Sequence, residues 1–152
     1  ARGQRRVVIL VSDNVATTKP RSSQSQLVRM AMESETVIYS VKTPGEEIPV
    51  TMRIPVWLGG NGSVQKVVHE TGGEIIDVQS NGSLDAAMAA VINRLKVRYT
   101  LGYQPSNPGS ASSFHKIDVR LNDRFGNPEL DYTIHARRGY YPSETATAQK
   151  NP

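Results

Sequence analysis

Val7-Val8-Ile9-Leu10-Val11 constrains this chain more than any other stretch: five apolar, mostly β-branched residues run without a break, between Arg5-Arg6 and Ser12-Asp13-Asn14. Such a run reads as a strand buried on both faces, the pattern of a parallel sheet. The Ser-Asp-Asn turn then falls at the carboxyl end of the strand, where open α/β sheets place their ligands. A central parallel strand needs a neighbour on each side, and no strand precedes this one. Together with Ala rather than Met at position 1, this gives the expectation of an excised or processed piece, the later part of a larger α/β domain.

The rest of the first 97 residues keeps an α/β rhythm. Ala16 to Ser23 is polar and holds Pro20, a loop. Ser22 or Ser23 is placed to cap a helix running to about Ser34, with Leu27, Val28, Met30 and Ala31 as its apolar positions. Thr36 to Val41 is the next strand, and strand, helix, strand in close succession describe a right-handed parallel crossover. Ser63 opens a short helix with Val64, Val67 and Val68, closed by Thr71-Gly72-Gly73, where glycine permits a left-handed residue. Glu74 to Val78 reads as a third strand. Asn81-Gly82 turns the chain and Ser83 caps a long helix with Leu84, Met88, Val91, Ile92 and Leu95 at helical spacing. Asp85 in its first turn and Arg94 and Lys96 in its last complement the helix dipole.

Lys42 to Gly62 interrupts this rhythm with Pro44, Gly45, Pro49, Pro55 and Gly59-Gly60-Asn61-Gly62. Long loops inside compact domains are uncommon. Trp57, the only tryptophan, is read either as an apolar anchor pinning the loop or as the aromatic hot spot of a partner-binding tip. From Arg98 the period becomes alternating. Tyr99, Leu101 and Tyr103 share one face, Ile117, Val119 and Leu121 another, and Tyr132, Ile134 and Ala136 a third. This predicts a three-stranded antiparallel unit with one face wet. The expected organisation is thus an α/β unit over 5–97, the antiparallel extension over 98–142 and a loose tail over 143–152.

Composition narrows the function classes. The 152 residues carry a formal net charge of +4 with basic residues spread rather than clustered, and no aromatic-basic module accompanies them, so nucleic acid is not an expected partner. The chain has no cysteine, which removes disulfides, thiolate catalysis and cysteine zinc sites. No apolar run approaches the roughly 20 residues of a membrane span. His69, His115 and His135 are dispersed on expected helix or strand surfaces and read as solvated rather than catalytic. Gly59-Gly60-Asn61-Gly62 precedes a helix but lacks the Lys and Ser/Thr of a phosphate-binding Walker motif, and reads as a turn. The expected protein is therefore not an enzyme.

Taken in order, Val7-Val8-Ile9-Leu10-Val11-Ser12-Asp13, Glu70-Thr71-Gly72-Gly73, Arg98-Tyr99-Thr100-Leu101-Gly102-Tyr103-Gln104-Pro105, Phe114-His115-Lys116-Ile117-Asp118-Val119 and Ala136-Arg137-Arg138-Gly139-Tyr140-Tyr141-Pro142 resemble the von Willebrand factor type A-related proteins of acidobacteria. The resemblance implies the C-terminal half of a von Willebrand factor type A-like, Rossmann-like parallel sheet with flanking helices, followed by the antiparallel β extension. It also implies a divalent metal, Mg²⁺, at the sheet's carboxyl edge, held by an Asp-x-Ser-x-Ser loop, a Thr and a later Asp. Asp13 matches only the last of these, Asn14 replaces the usual Gly, and no Asp-x-Ser-x-Ser occurs, so no cofactor is expected in this chain unless the other half is supplied. The function implied by the resemblance is that of a non-catalytic, adhesion-type interaction module, extracellular or periplasmic, with Ser12, Asp13, Asn14 and Trp57 as partner-binding residues. The alternative is a self-assembling subunit that pairs with another copy through residues 7–11, since the family's first strand is the expected neighbour of that strand.

Overall fold

A computed structural model describes residues 6–15, 21–45, 62–105, 113–121 and 132–142. Strand β1 (Arg6–Ser12) runs parallel to β2 (Thr36–Lys42), with Val7 opposite Val37, Ile9 opposite Tyr39 and Val11 opposite Val41. Strand β3 (Ile75–Asp77) joins the other side of β2, also parallel, so the order is β1-β2-β3. The two crossovers carry helices α1 (Gln24–Glu33) and α2 (Gly62–Glu70). After β3 come a single turn, α3 (Val78–Asn81), and the long helix α4 (Leu84–Lys96). Two short strands, β4 (His115–Lys116) and β5 (Gly139–Tyr140), pair antiparallel.

Local chemistry explains where the helices start. The Ser23 hydroxyl accepts the Gln26 backbone N–H at 3.2 Å, while the Gln26 side chain accepts the Ser23 N–H at 2.9 Å, a reciprocal capping box on α1. Ser83 caps α4 by accepting the Ala86 N–H, and Gly82 before it sits at φ 80°, a left-handed turn residue as its type allows. Asp77 ends β3 and caps α3 through the Gln79 N–H. This one-turn helix takes in Val78 and Asn81, so the third strand is shorter than the alternation predicts. Two features of the helix faces also differ from expectation. Helix α1 buries Ala31 and Met32 while Leu27 and Met30 stay exposed, and α4 buries Ala87 and Val91 while Leu84 and Ile92 stay exposed.

The core forms around β2. Val37, Tyr39, Val41, Ile76, Ala87 and Val91 make one buried cluster between the sheet and α4, with Ile9, Met88 and Leu95 packed at its margin. Helices α1 and α2 pack against each other and against β2, burying Ala31, Met32, Val67 and Val68.

Strand β1 does not have the two buried faces its composition predicts. Val7, Val8, Leu10 and Val11 are 37%, 49%, 38% and 48% exposed, and among the described residues β1 pairs with β2 alone. The reason is position. The helices centre on β2, so a strand at the sheet margin is overlaid only along its inner flank, whatever its hydropathy.

The antiparallel extension also differs from the alternating pattern. Residues 98–105 are not in a strand, and Tyr99, Leu101 and Tyr103 are exposed. The described pairing is the two-residue ladder of β4 with β5, extended by the Ile117 N–H to the Arg138 carbonyl. Aromatic contacts do more here than the ladder. Phe114 meets Tyr141 at 5.4 Å between ring centroids, His115 meets Tyr140 at 5.2 Å, and Tyr103 meets Tyr140 edge-on at 6.0 Å. The Arg29 guanidinium lies 5.1 Å from the Tyr141 ring centroid and ties α1 to this layer.

Thr71-Gly72-Gly73 is the junction of the two parts. The buried Thr71 hydroxyl accepts the Ile38 N–H at 3.2 Å and lies 3.0 Å from the Val67 and Val68 carbonyls at the end of α2. Gly72, at φ 77°, lies against Ala136 and Arg137, where a Cβ would stand 2.6 Å from the Arg137 nitrogen. A Cβ on Gly73 would overlap the Ile38 carbonyl oxygen. The Arg138 N–H donates to the Glu70 carbonyl, and Arg98 Nη2 donates to the Gly72 carbonyl at 3.3 Å.

Candidate functional site at the carboxyl edge of the sheet

Parallel strands deliver their C-termini to one edge, and three polar segments meet there: Ser12-Asp13-Asn14 after β1, Lys42 to Gly45 at the end of β2, and Asp77 at the end of β3. The first is a fixed turn. The Val15 N–H donates to Asp13 Oδ1 at 3.0 Å, and the Asn14 N–H donates to the Ser12 hydroxyl at 3.1 Å. Asn14 sits at φ 60°, a left-handed conformation that Asn adopts more readily than most residues. Its side chain is held by a reciprocal pair with Ser40: Asn14 Nδ2 donates to Ser40 Oγ at 3.0 Å, and the Ser40 hydroxyl donates to Asn14 Oδ1 at 3.1 Å. Ser40 is fully buried in β2, so the turn is bolted to the central strand.

The other segments close around it. The Thr43 N–H donates to the Ser12 carbonyl, and Gly45 lies so near Asp13 that a Cβ there would stand 2.9 Å from Oδ2. Lys42 Nζ sits 3.2 Å from Asp77 Oδ2. The Asp77 carboxyl is held below the ordinary carboxylate range, first by the Gln79 backbone N–H and then by Lys42.

This arrangement bears on the metal implied by the family resemblance. Among the described residues no group of three or more His, Asp or Glu gathers as a ligand set. Asp77, the other carboxylate of this edge among the described residues, is committed to the α3 cap and to Lys42. Mg²⁺ demands near-octahedral oxygen coordination, and among the described residues the two carboxylates of this edge already accept from other groups, Asp13 from the Val15 N–H and Asp77 from Gln79 and Lys42.

Of the residues expected at the site, the structure places Ser12, Asp13 and Asn14 together in one turn. Trp57 lies outside the described residues. The sequence pattern did not point to Ser40, Lys42 or Gly45. Ser40 carried a signal, as a small hydroxyl in an otherwise apolar strand. Its pairing with Asn14 depends on the turn after β1, since the ladder itself sets Leu10 opposite Ser40.

The histidines are not all free surface groups. The His115 Nε2 is 2.9 Å from the Ser113 hydroxyl, and Arg138 Nη2 lies 3.1 Å from His69 Nε2. His69 and Arg138, with Glu70, Phe114 and Lys116, line an open cavity of about 340 Å³ between α2 and β4.

No protein-family model matches the sequence, and no curated protein or solved structure is similar to it.

Proposed function

We propose that this chain is a non-catalytic, adhesion-type protein-interaction module, part of a secreted or periplasmic protein related to the von Willebrand factor type A domains. Its partner docks at the carboxyl edge of the sheet. The observation that carries the reading is the turn Ser12-Asp13-Asn14, clamped to buried Ser40 by two reciprocal side-chain bonds. A polar turn already fixed in shape loses little conformational entropy on docking, which favours recognition. The order of sequence motifs supports the family, and the three parallel strands with flanking helices are compatible with it.

The test is surface plasmon resonance against a panel of purified cell-surface and extracellular proteins. Saturable binding to a member of the panel, weakened at least tenfold by Asp13→Ala with an unchanged thermal midpoint, is the expected result. Equal binding by both chains would remove Asp13 from the interface, and absence of saturable binding across the panel would count against an adhesion module.

A second reading, a self-assembling subunit, is favoured by a different observation. β1 presents apolar side chains on both faces and pairs with β2 alone among the described residues. Exposed, flat, hydrophobic edges are templates for another strand.

A further inference from the structure

We propose that the partner of β1 is the β1 of a second copy, paired antiparallel about a two-fold axis at Ile9. The inference rests on the self-assembly reading and specifies its geometry. Antiparallel pairing centred on Ile9 sets Val7 opposite Val11 of the other copy, Val8 opposite Leu10, and Ile9 opposite Ile9. Among antiparallel registers this one alone matches all five apolar residues of the run with one another. Residues directly opposite in an antiparallel pair lie on the same face. Val7, Ile9 and Val11 therefore continue the α4-side surface across the seam, and Val8 and Leu10 continue the other.

Charge favours the same arrangement. The run is bounded by Arg5 and Arg6 at its start and by Ser12 and Asp13 at its end. Inverting one copy places Arg6 opposite Ser12 of the other and sets the basic start of the run towards its acidic end, twice by symmetry. A parallel pairing of two copies would align Arg with Arg and Asp with Asp. The contact is isologous and closes at two subunits, making a six-stranded sheet with β2 and β3 outboard on each side.

The chain contains no cysteine, so single thiols report the register. The experiment combines sedimentation of the full chain over a dilution series with oxidative cross-linking of Ile9→Cys, Val8→Cys and Leu10→Cys variants. The expected results are a species of two chains that dissociates on dilution, covalent dimer from Ile9→Cys alone, and covalent dimer from Val8→Cys only when mixed with Leu10→Cys. Because Ile9 also touches the core, a second pair of changes isolates the interface. Val8→Lys with Leu10→Lys, at two exposed positions outside the core cluster, should halve the mass and leave the circular dichroism spectrum intact. A chain that is monomeric at every concentration overturns both the proposal and the self-assembly reading. A dimer that survives the two lysine changes, or that fails to cross-link through Ile9→Cys, overturns this interface and leaves self-assembly standing by another surface.

Discussion

β1 and β2 are neighbours of equal length and similar apolar content, RVVILVS against TVIYSVK, yet they live in different environments. β2 holds Tyr39, Ser40 and Val41 at or near zero exposure, while no residue of β1 is fully buried. Val11 and Val41 sharpen the contrast, since they are the same residue type, paired across the ladder on one face. Val41 is 0% exposed and Val11 48%. Side-chain chemistry decides that a segment will be a strand. Its place in the sheet decides how much water it sheds.

The largest expected effect comes from the backbone of β2. Gly73→Ala puts a methyl group into the Ile38 carbonyl and should cost more than about 4 kcal/mol, the range reserved for core disruption. Loss of the far-ultraviolet signal of the native fold is the readout, and a variant folding within about 1 kcal/mol of the parent would mean that β2 and the α2 end are not locked. Next, Val41→Ala should cost roughly 2–3 kcal/mol in urea titration, against about 0.5 kcal/mol or less for Val11→Ala in the monomer. Equal losses would break the comparison between the strands. A Val11→Ala cost that grows with protein concentration would show β1 covered by a partner.

Thr71→Val keeps the shape of a side chain that is 0% exposed but leaves the Ile38 N–H without the hydroxyl it meets. A loss of about 1–3 kcal/mol is expected, with faster amide exchange at Ile38 than at its neighbours in β2.

The smallest effects are in pH dependence. Asp77 has a depressed folded-state pKa, so its contribution is present above the ordinary carboxylate value and is lost as pH falls through the folded value. Asp77→Asn should flatten the acid limb of the stability profile. Tyr103 behaves in the opposite sense. Its bond to Tyr140 and partial desolvation push its pKa up from 10.0 to about 12, so its contribution is full below about 10 and is lost as pH rises through about 12. Tyr103→Phe should remove that alkaline loss.

The parallel sheet was legible in the residues because β1 and β2 are largely β-branched runs and helices α1 and α4 carry start signals, Ser22 or Ser23 for the one and Ser83 after Gly82 for the other. Helix α2 begins at Gly62, one residue before the expected Ser63. The burial of β1 was not legible, because a continuous apolar run has the same appearance at the centre of a sheet and at its margin. The extension misled for a related reason. Tyr99, Leu101 and Tyr103 alternate as a strand would, but alternation records which side chains could share a face, not whether a partner strand is there to pair. At the site, the Ser-Asp-Asn turn was visible from its place after β1. Its clamp was not, since Ser40 is remote in sequence, stands opposite Leu10 in the ladder, and meets Asn14 only because the turn at Asn14 brings its side chain back to β2.

The junction at Thr71-Gly72-Gly73 has a mechanical meaning. The segment around Ala136 to Arg138 is held to the sheet at single points: a backbone amide on the Glu70 carbonyl, a close contact with Gly72, and an aromatic ring under Arg29. Tension applied beyond Pro142 would be carried first by the short β4–β5 ladder and then by the end of α2. From there it reaches the middle of β2 through the Thr71 hydroxyl on the Ile38 N–H, the close contact of Gly73 with Ile38 and the Ser40 N–H on the Glu74 carbonyl. The weak links under load are thus the isolated contacts of the extension with Glu70, Gly72 and Arg29, and their rupture would let the extension peel away while the β1–β2 ladder still held.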